Sequence, residues 1–234
     1  GSTNADALGG LNFFTVHPTN AKAYGCTIVN RSSGNPVESG NESARFEVDP
    51  GDCSSNPGFN DCINDRSRHE IQETNTSSTN GFNIVFETRM FIPSQTRFRP
   101  KGNNLLVVTQ IVTQDPTGYF AVLGMMTVDT NGDLAFRTNR DFTTQINQEY
   151  PAYQNPYNKW VTVRYEIGST VNNDGYIRVY VNDQLKVNEV RATLPNATAN
   201  TNLRIGIYNS FMSRATEPYD KQVLYFDNIV KQYR

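Results

Sequence analysis

The sequence has no excess of positive charge. Its 21 lysines and arginines are outnumbered by 23 aspartates and glutamates, which gives a formal net charge of -2 at pH 7. Proteins that bind nucleic acid through general electrostatics carry a basic surplus, so we expect no nucleic-acid partner. No apolar run approaches the ~18 residues that a membrane-spanning helix requires, so we expect no membrane partner. A polyanion could bind only at a local cluster of basic side chains.

Cysteine is also scarce, with Cys26, Cys53 and Cys62 alone. The segment between Cys53 and Cys62 reads SSNPGFND, and most of its residues favour turns, so the chain can fold back and bring the two thiols together. We therefore predict a Cys53–Cys62 disulfide, which implies an oxidising compartment, and a buried free thiol at Cys26. Four glycosylation sequons agree with a secreted, extracellular protein, although a chain rich in Asn, Ser and Thr also produces them by chance: Asn30, Asn41, Asn75 and Asn196.

Helical periodicity is nearly absent, and short alternating segments take its place. From Phe82 to Ile92 apolar and polar residues alternate, which indicates a half-buried strand. About ten to thirteen such strands recur at regular spacing, and Asn131-Gly132 joins two of them as a hairpin turn. The pattern predicts an all-β fold, a jelly-roll β-sandwich of two antiparallel sheets of the concanavalin-like type. We expect a single domain over residues 1–234.

One long segment, residues 139–158, lacks a clear strand pattern. A helical turn over Asp141 to Gln148 is the only regular element that we expect there. The segment is rich in tyrosine and proline, with Tyr150, Tyr153 and Tyr157. A loop of this length in a compact fold is often functional, so we predict a rim or lid, with Tyr153 contacting a bound ligand.

The densest functional chemistry lies in Asp61 to Gln72, which reads DCINDRSRHEIQ. If residues 66–71 form a strand, Arg66, Arg68 and Glu70 share one face, while Ser67, His69 and Ile71 share the other. Three charges on one face of a sheet form either an inter-strand ion-pair ladder or the floor of a polar groove. The local pattern leaves both alternatives open.

Four separated segments resemble strands of one enzyme group. RSRHEI at 66–71 is similar to its arginine and glutamate strand, and Gln110-Ile111-Val112 stands where it carries a glutamine and a histidine two residues apart. Residues 204–208, RIGIY, resemble its strand with a glycine and a tyrosine, and residues 224–228, LYFDN, resemble its closing strand. Order and spacing match from about residue 40 to 230. The chain thus resembles jelly-roll polysaccharide lyases, nearest to the glucuronan lyase and heparin-lyase-like families, with alginate lyases more distant.

The resemblance implies β-elimination at a uronic acid of an acidic polysaccharide bound on a concave sheet. Abstraction of the C5 proton adds charge beside a carboxylate, so the site must neutralise that carboxylate with donors such as Arg, Gln or protonated His. The implied catalytic set is Tyr208 as base and acid with His69, Arg68 and Gln110, and the implied substrate contacts are Arg66, Arg204, Gln114 and Tyr153. A tyrosine phenol ordinarily has a pKa near 10, so a tyrosine base needs positive charge nearby.

The sequence departs from the family pattern at Val112, where a histidine is expected. Only His17 and His69 are available. His17 precedes Pro18 in a loop and looks incidental, so we place His69 in the groove as neutraliser or base. Strict alternation would turn His69 away from Arg68, and this prediction therefore requires a β-bulge; the alternative is a satisfied core histidine.

No cofactor is required for the implied chemistry, and we expect a monomer. Related lyases hold a structural calcium near the closing strand, which suggests Ca²⁺ at Asp227 with Glu47; an arginine or backbone partner for Asp227 is the alternative. Two other functions remain open. A retaining glycosidase would need two carboxylates about 5 Å apart, and a non-catalytic carbohydrate-binding module or lectin would need a groove but no convergent Tyr208, Arg68 and Gln110.

Overall fold

The computed structural model describes residues 8–93, 98–139, 142 and 148–234. Strands dominate it, and the only helical segments in these ranges are the 3-10 turns Arg31–Ser33 and Met212–Arg214. No helix in the described ranges has the length and apolar character needed to cross a bilayer. The strands in these ranges are β1 Phe13–Thr15, β2 Cys26–Asn30, β3 Glu42–Val48, β4 Ser55–Asn56, β5 Phe59–Asn60, β6 Arg66–Glu73, β7 Phe82–Phe91, β8 Leu105–Gln114, β9 Phe120–Val128, β10 Leu134–Thr138, β11 Gln148–Tyr153, β12 Trp160–Ser169, β13 Tyr176–Val181, β14 Gln184–Val190, β15 Asn200–Ser210 and β16 Gln222–Tyr233.

Two seven-stranded antiparallel sheets make up the fold. The front sheet has the order β1-β6-β15-β8-β9-β10-β11, and the back sheet has the order β14-β13-β12-β7-β16-β3-β2. Their inner faces share one apolar core that includes Phe86 of the back sheet and Ile111 and Ile205 of the front sheet. The predicted all-β sandwich of jelly-roll type is confirmed.

Side-chain alternation decides which residues the front sheet presents to solvent. On β15, Leu203, Ile205 and Ile207 are fully buried in the shared core. The intervening residues therefore project from the outer surface of the sheet, which we call the front face. Arg204 and Tyr208, on the front face, are half-buried. The alternating pattern of the sequence thus positions this pair of polar side chains.

A small hairpin lies at the start of β6. β4 and β5 form a two-stranded sheet closed by the Cys53–Cys62 disulfide, which confirms the predicted pairing. Thr19 pairs with Ser55 through reciprocal backbone hydrogen bonds of 3.0 and 2.9 Å, which attach the hairpin to the N-terminal segment. Cys26 is a free thiol and is half-buried, and burial raises its pKa to about 12.

The segment 139–158 differs from the prediction of a loop. Its second half contains β11, which forms the far edge of the front sheet beside β10. Tyr150 packs against the core, and Tyr157 is buried with its hydroxyl donating to the carbonyl of Phe98 at 3.1 Å. These two tyrosines therefore serve packing and do not form a rim. Most of the expected helical turn at 141–148 lies outside the described residues.

Candidate active site

Three neighbouring strands of the front sheet, β6, β15 and β8, supply the polar cluster. On β6 and β15, Tyr208 lies opposite Arg68 and Arg204 lies opposite Gln72. On β15 and β8, Arg204 lies opposite Gln110, but the register shifts between Ile205 and Tyr208. Cross-strand partners share a face of the sheet. Arg68, Tyr208, Arg204 and Gln110 therefore converge on the front face.

Gly206 makes this close approach of strands feasible. It lies at the register shift with a φ of 138°, a backbone conformation that glycine alone adopts without strain. A Cβ at this position would lie 2.3 Å from the carbonyl oxygen of His69 and 2.8 Å from the Cα of Glu70. Glycine is therefore the residue that permits β15 to approach β6 at this point.

Arg68 is fixed from three sides. Its guanidinium carbon lies 4.0 Å from the centroid of the Tyr208 ring. Its Nε and Nη2 donate to the two oxygens of Asp61 at 2.8 and 2.7 Å, and Nη1 donates to Glu70 at 3.2 Å. Burial lowers the pKa of Arg68, but Glu70 and Asp61 outweigh burial and the net shift is upward. Arg68 is therefore a permanently charged, immobilised cation.

The cluster extends on both sides of Arg68. Glu70 accepts a hydrogen bond of 2.6 Å from the amide of Gln110. Asp61 is 2.8 Å from Nδ1 of His17. Burial raises the pKa of Asp61, but the hydrogen bonds from His17 and Arg68 outweigh it and the pKa is lowered. Because an ionised carboxylate can only accept, His17 donates from Nδ1. The result is a continuous buried chain from His17 through Asp61, Arg68 and Glu70 to Gln110.

Arg204 lies in a different electrostatic setting. Its Nε donates to Gln72 at 2.6 Å, and Gln72 in turn donates to Gln114 at 3.1 Å. Its guanidinium stacks on Phe120 at 4.5 Å, and burial lowers its pKa to about 10, so it remains charged at neutral pH. Among the described residues, no carboxylate lies within ion-pair distance of Arg204, and its Nη groups have no protein acceptor.

Arg66 resembles Arg204 in this respect. Its Nη1 donates to the carbonyl of Asn64 at 2.7 Å, and its guanidinium lies 5.1 Å from the centroid of the Phe211 ring. No acidic side chain in the described ranges pairs with it. The front face therefore carries two uncompensated guanidiniums, on either side of the compensated Arg68.

His69 does not lie on the front face, and the predicted place of His69 in the groove is wrong. The register between β6 and β15 is unbroken from Arg66 to Gln72, so no bulge re-aims the chain. His69 instead points inward, with its Nε2 3.4 Å from Asp52 and its ring 6.1 Å from that of Tyr24. Burial lowers its pKa although Asp52 opposes the shift. His69 is a buried, neutral imidazole behind the site.

His17 and Asp61 also belong to this cluster, although no sequence pattern singles them out as site residues. His17 looked incidental, yet it is buried and its ring lies 5.7 Å from that of Phe59 at the tip of the disulfide hairpin. Its partner Asp61 is 44 residues away in the chain. No local pattern encodes such a contact, although Asp61 beside Cys62 was a usable signal, because the disulfide fixes its position.

Tyr153 lies far from the cluster. It is on β11, four strands from β15 in the front sheet, which corresponds to about 19 Å at the usual strand spacing. It packs partly against the core, and Lys159 lies 5.0 Å from its ring centroid. The structure therefore separates Tyr153 from Tyr208, and the contact of Tyr153 with substrate stays a prediction.

The structure does not bring Asp227 and Glu47 together. Asp227 accepts backbone hydrogen bonds from Glu38 at 2.9 Å and Ser39 at 3.1 Å, and Glu47 pairs with Arg45 and Lys221. Glu47 lies opposite Val223, four residues or about 13 Å along β16 from Asp227. No group of three or more potential metal ligands occurs in the part of the chain that the structure describes. These residues do not fit the calcium site expected of them.

Comparison with known proteins decides the family. A family model described as polysaccharide lyase matches residues 22–230. The chain belongs to this polysaccharide lyase family. The lyase has the fold of an endo-β-1,4-glucuronan lyase from the fungus Trichoderma reesei, with a TM-score of 0.69 and 16% identity over 97% of this chain and 92% of that one.

Two alginate lyases also share the fold of the lyase. A family 7 alginate lyase has a TM-score of 0.64 and 10% identity, covering 95% of each chain. A second alginate lyase has a TM-score of 0.57 and 10% identity over 82% of this chain and 75% of that one. No curated protein matches the sequence. The predicted family, its polysaccharide lyase activity and its jelly-roll fold are confirmed.

Proposed function

We propose that the lyase cleaves a polymer of uronic acids, with a glucuronan-like chain as the preferred substrate, and that Tyr208 transfers the proton. The observation that carries this proposal is the fixed guanidinium of Arg68 over the Tyr208 ring, at 4.0 Å. A cation held there faces the negative charge that the phenol carries during proton transfer.

In the proposed reaction, the phenolate oxygen of Tyr208 takes the proton from C5 of the uronate and becomes a phenol. The electron pair left on C5 forms the C4–C5 double bond, and the bond from C4 to the glycosidic oxygen breaks. The leaving oxygen then takes the proton from Tyr208, which restores the residue. The products are a new chain end and an unsaturated uronate, and no water or cofactor is consumed.

The uronate carboxylate needs donors that are free to bind it. Arg68 meets this requirement poorly, because Asp61 and Glu70 engage all three of its nitrogens and already compensate its charge. Arg204 meets it, since its Nη groups have no protein acceptor in the described ranges and Gln72 fixes its Nε. We therefore assign carboxylate binding to Arg204 with Gln110, orientation of Arg204 to Gln72 and Gln114, and a further sugar contact to Arg66.

The test is a panel of acidic polysaccharides: glucuronan, alginate and heparan-type glycans. Elimination creates a conjugated double bond that absorbs in the ultraviolet, whereas hydrolysis or simple binding does not. We expect the fastest rise in absorbance with glucuronan. Absence of absorbance with every polyuronate, together with retained binding, would favour a carbohydrate-binding module and refute the proposal.

We also propose that the lyase is secreted and acts extracellularly as a monomer. The Cys53–Cys62 disulfide supports an oxidising compartment. Asn30 and Asn41, two of the four sequon asparagines, are exposed. Expression through a secretory route should yield protein glycosylated at both positions, which mass spectrometry of the peptides would detect; unmodified asparagines at both would count against secretion through a glycosylating compartment.

A further inference from the structure

Asp61 connects Arg68 and His17, and no local sequence pattern singles it out. It is completely buried, although it is a carboxylate in the turn that precedes β6. It accepts from Nε and Nη2 of Arg68 at 2.8 and 2.7 Å and from Nδ1 of His17 at 2.8 Å. A bidentate contact of this kind fixes the plane of a guanidinium as well as its position.

The disulfide hairpin in turn fixes Asp61. Asp61 immediately precedes Cys62, and its backbone N–H donates to the carbonyl of Ser54, which follows Cys53, at 3.0 Å. Its carbonyl accepts from the N–H of Arg66 at 3.0 Å, at the start of β6. The hydroxyl of Ser54 lies 3.4 Å from the same carboxylate oxygen that His17 contacts. The disulfide thus joins the two short segments that hold this carboxylate.

We propose that Asp61 is a positioning residue of the lyase: it holds Arg68 over Tyr208, with His17 bonded to the same carboxylate, and the Cys53–Cys62 bond keeps Asp61 in place. The inference rests on the proposed function, because the position of Arg68 affects the reaction only if Tyr208 transfers the proton. Without Asp61, the one remaining carboxylate contact of Arg68 is a single bond of 3.2 Å to Glu70, on the same strand. The guanidinium would then be free to rotate off the ring.

Asp61→Asn is the most informative variant, because the side chain keeps its shape while one acceptor oxygen is replaced by a donor N–H₂ group. The new amide N–H₂ must face Arg68 whichever oxygen it replaces, and it also faces His17 if it replaces Oδ2; both partners are donors at this contact. We expect kcat to fall about 10²-fold, the scale of a misplacement of about 1 Å in a catalytic site. KM should change less than about threefold, because Arg204 and Gln110 are untouched. Asp183→Asn, on an exposed carboxylate outside the site, is the matched control and should retain wild-type kcat.

Two measurements separate positioning from a general structural role. In a Tyr208→Phe background, Asp61→Asn should add no further loss in kcat, because Asp61 acts through Arg68 and Tyr208. A crystal structure of Asp61→Asn should show the Arg68 guanidinium displaced from the Tyr208 ring. Wild-type kcat in Asp61→Asn, or an unmoved Arg68, would overturn the inference. The crystallographic arm needs no substrate, so it still decides the positioning role if the lyase cleaves no uronate polymer.

The disulfide arm uses Cys53→Ser/Cys62→Ser, with Cys26→Ser as the control that removes the free thiol only. We expect kcat of the folded double variant to fall at least about tenfold while KM is retained, and Cys26→Ser to match wild type. If Asp61→Asn does not fold, this double variant still tests whether the position of Asp61 affects kcat. Wild-type kcat in the double variant would overturn the role given to the disulfide.

Discussion

Arg68 and Tyr208 lie opposite each other on adjacent strands, with the guanidinium carbon 4.0 Å from the ring centroid. A desolvated cation–π contact contributes about 2 kcal/mol, and the bidentate bond to Asp61 adds directional restraint. The contact between Arg68 and the Tyr208 ring therefore has a defined geometry, and a substitution can remove it. Arg68 is compensated by carboxylates, so we infer that it acts on the phenol and not on the substrate.

Tyr208→Phe removes the hydroxyl that the proposed reaction uses and leaves the ring for Arg68 to stack on. Loss of a proton-transfer group typically costs 10²–10⁴-fold, so we expect kcat to fall by about that much. Affinity for the polymer should stay within about threefold. Ultraviolet absorbance and calorimetric binding measure the two quantities. Tyr180→Phe, on the back sheet, is the control, and full turnover in Tyr208→Phe would remove this residue from the mechanism.

Arg204→Gln should weaken binding more than chemistry. A hydrogen bond to a charged group contributes about 1.5–3 kcal/mol, so we expect the dissociation constant for a polyuronate to rise roughly 10–100-fold. Titration into a Tyr208→Phe background measures binding without turnover. Arg178→Gln, which removes a guanidinium stacked on Tyr176 outside the site, should leave affinity unchanged. Equal losses in both variants would indicate general charge attraction and not a site at Arg204.

The stability of the lyase should fall in mildly acidic solution because of His69. Burial lowers the pKa of His69 and Lys22 adds to the effect, while Asp52 opposes it. The unfolded chain therefore takes up a proton near pH 6.5 that the folded chain resists, so the free energy of unfolding decreases as pH falls from about 6.5 toward the folded pKa. Urea unfolding between pH 7.5 and roughly 5 measures this slope. His69→Gln should flatten it, and an unchanged slope would assign the effect to other groups.

Gly206→Ala should destabilise the lyase and distort the site. The added methyl would meet backbone atoms 2.3 and 2.8 Å away, and the φ of 138° is strained for alanine. We expect a loss of at least about 2 kcal/mol in unfolding free energy. Gly34→Ala is the control, because its φ is 78° and no atom lies within 4 Å of the added methyl, so only about 1 kcal/mol of backbone strain applies. A similar loss of unfolding free energy in both variants would show that β6 and β15 move apart to accommodate the added methyl.

Local periodicity was sufficient for most of the fold and for part of the site. Alternation on β15 placed Leu203 in the core and Arg204 and Tyr208 on the opposite face, because a strand has a period of two residues. The same rule placed Arg68 on that face and His69 behind it. The predicted position of His69 in the groove requires a bulge, and the register of β6 and β15 contains none, so alternation alone gives the correct face.

Contacts between segments that are far apart in the chain could not be predicted from the sequence. His17 reaches Asp61 only because the disulfide hairpin and the N-terminal segment pair through Thr19 and Ser55. Strand order, and not chain order, sets the distance of Tyr153 from β15, so the sequence alone does not show how far this residue lies from the cluster. Asp227 has the backbone partners that were the alternative to calcium, the N–H groups of residues 38 and 39, and no local pattern identifies the segment that supplies them.

The disulfide hairpin contacts the rest of the chain at His17, Thr19, Arg66 and Arg68, and its Phe59 is exposed beside Arg66. The residues between the two cysteines include Asp61. If Asp61 positions Arg68 as inferred, an insertion or deletion in this turn would shift Arg68 relative to Tyr208. Evolutionary variation in the length of the turn is then limited by the proton-transfer site behind it, although its tip at Phe59 is open to solvent.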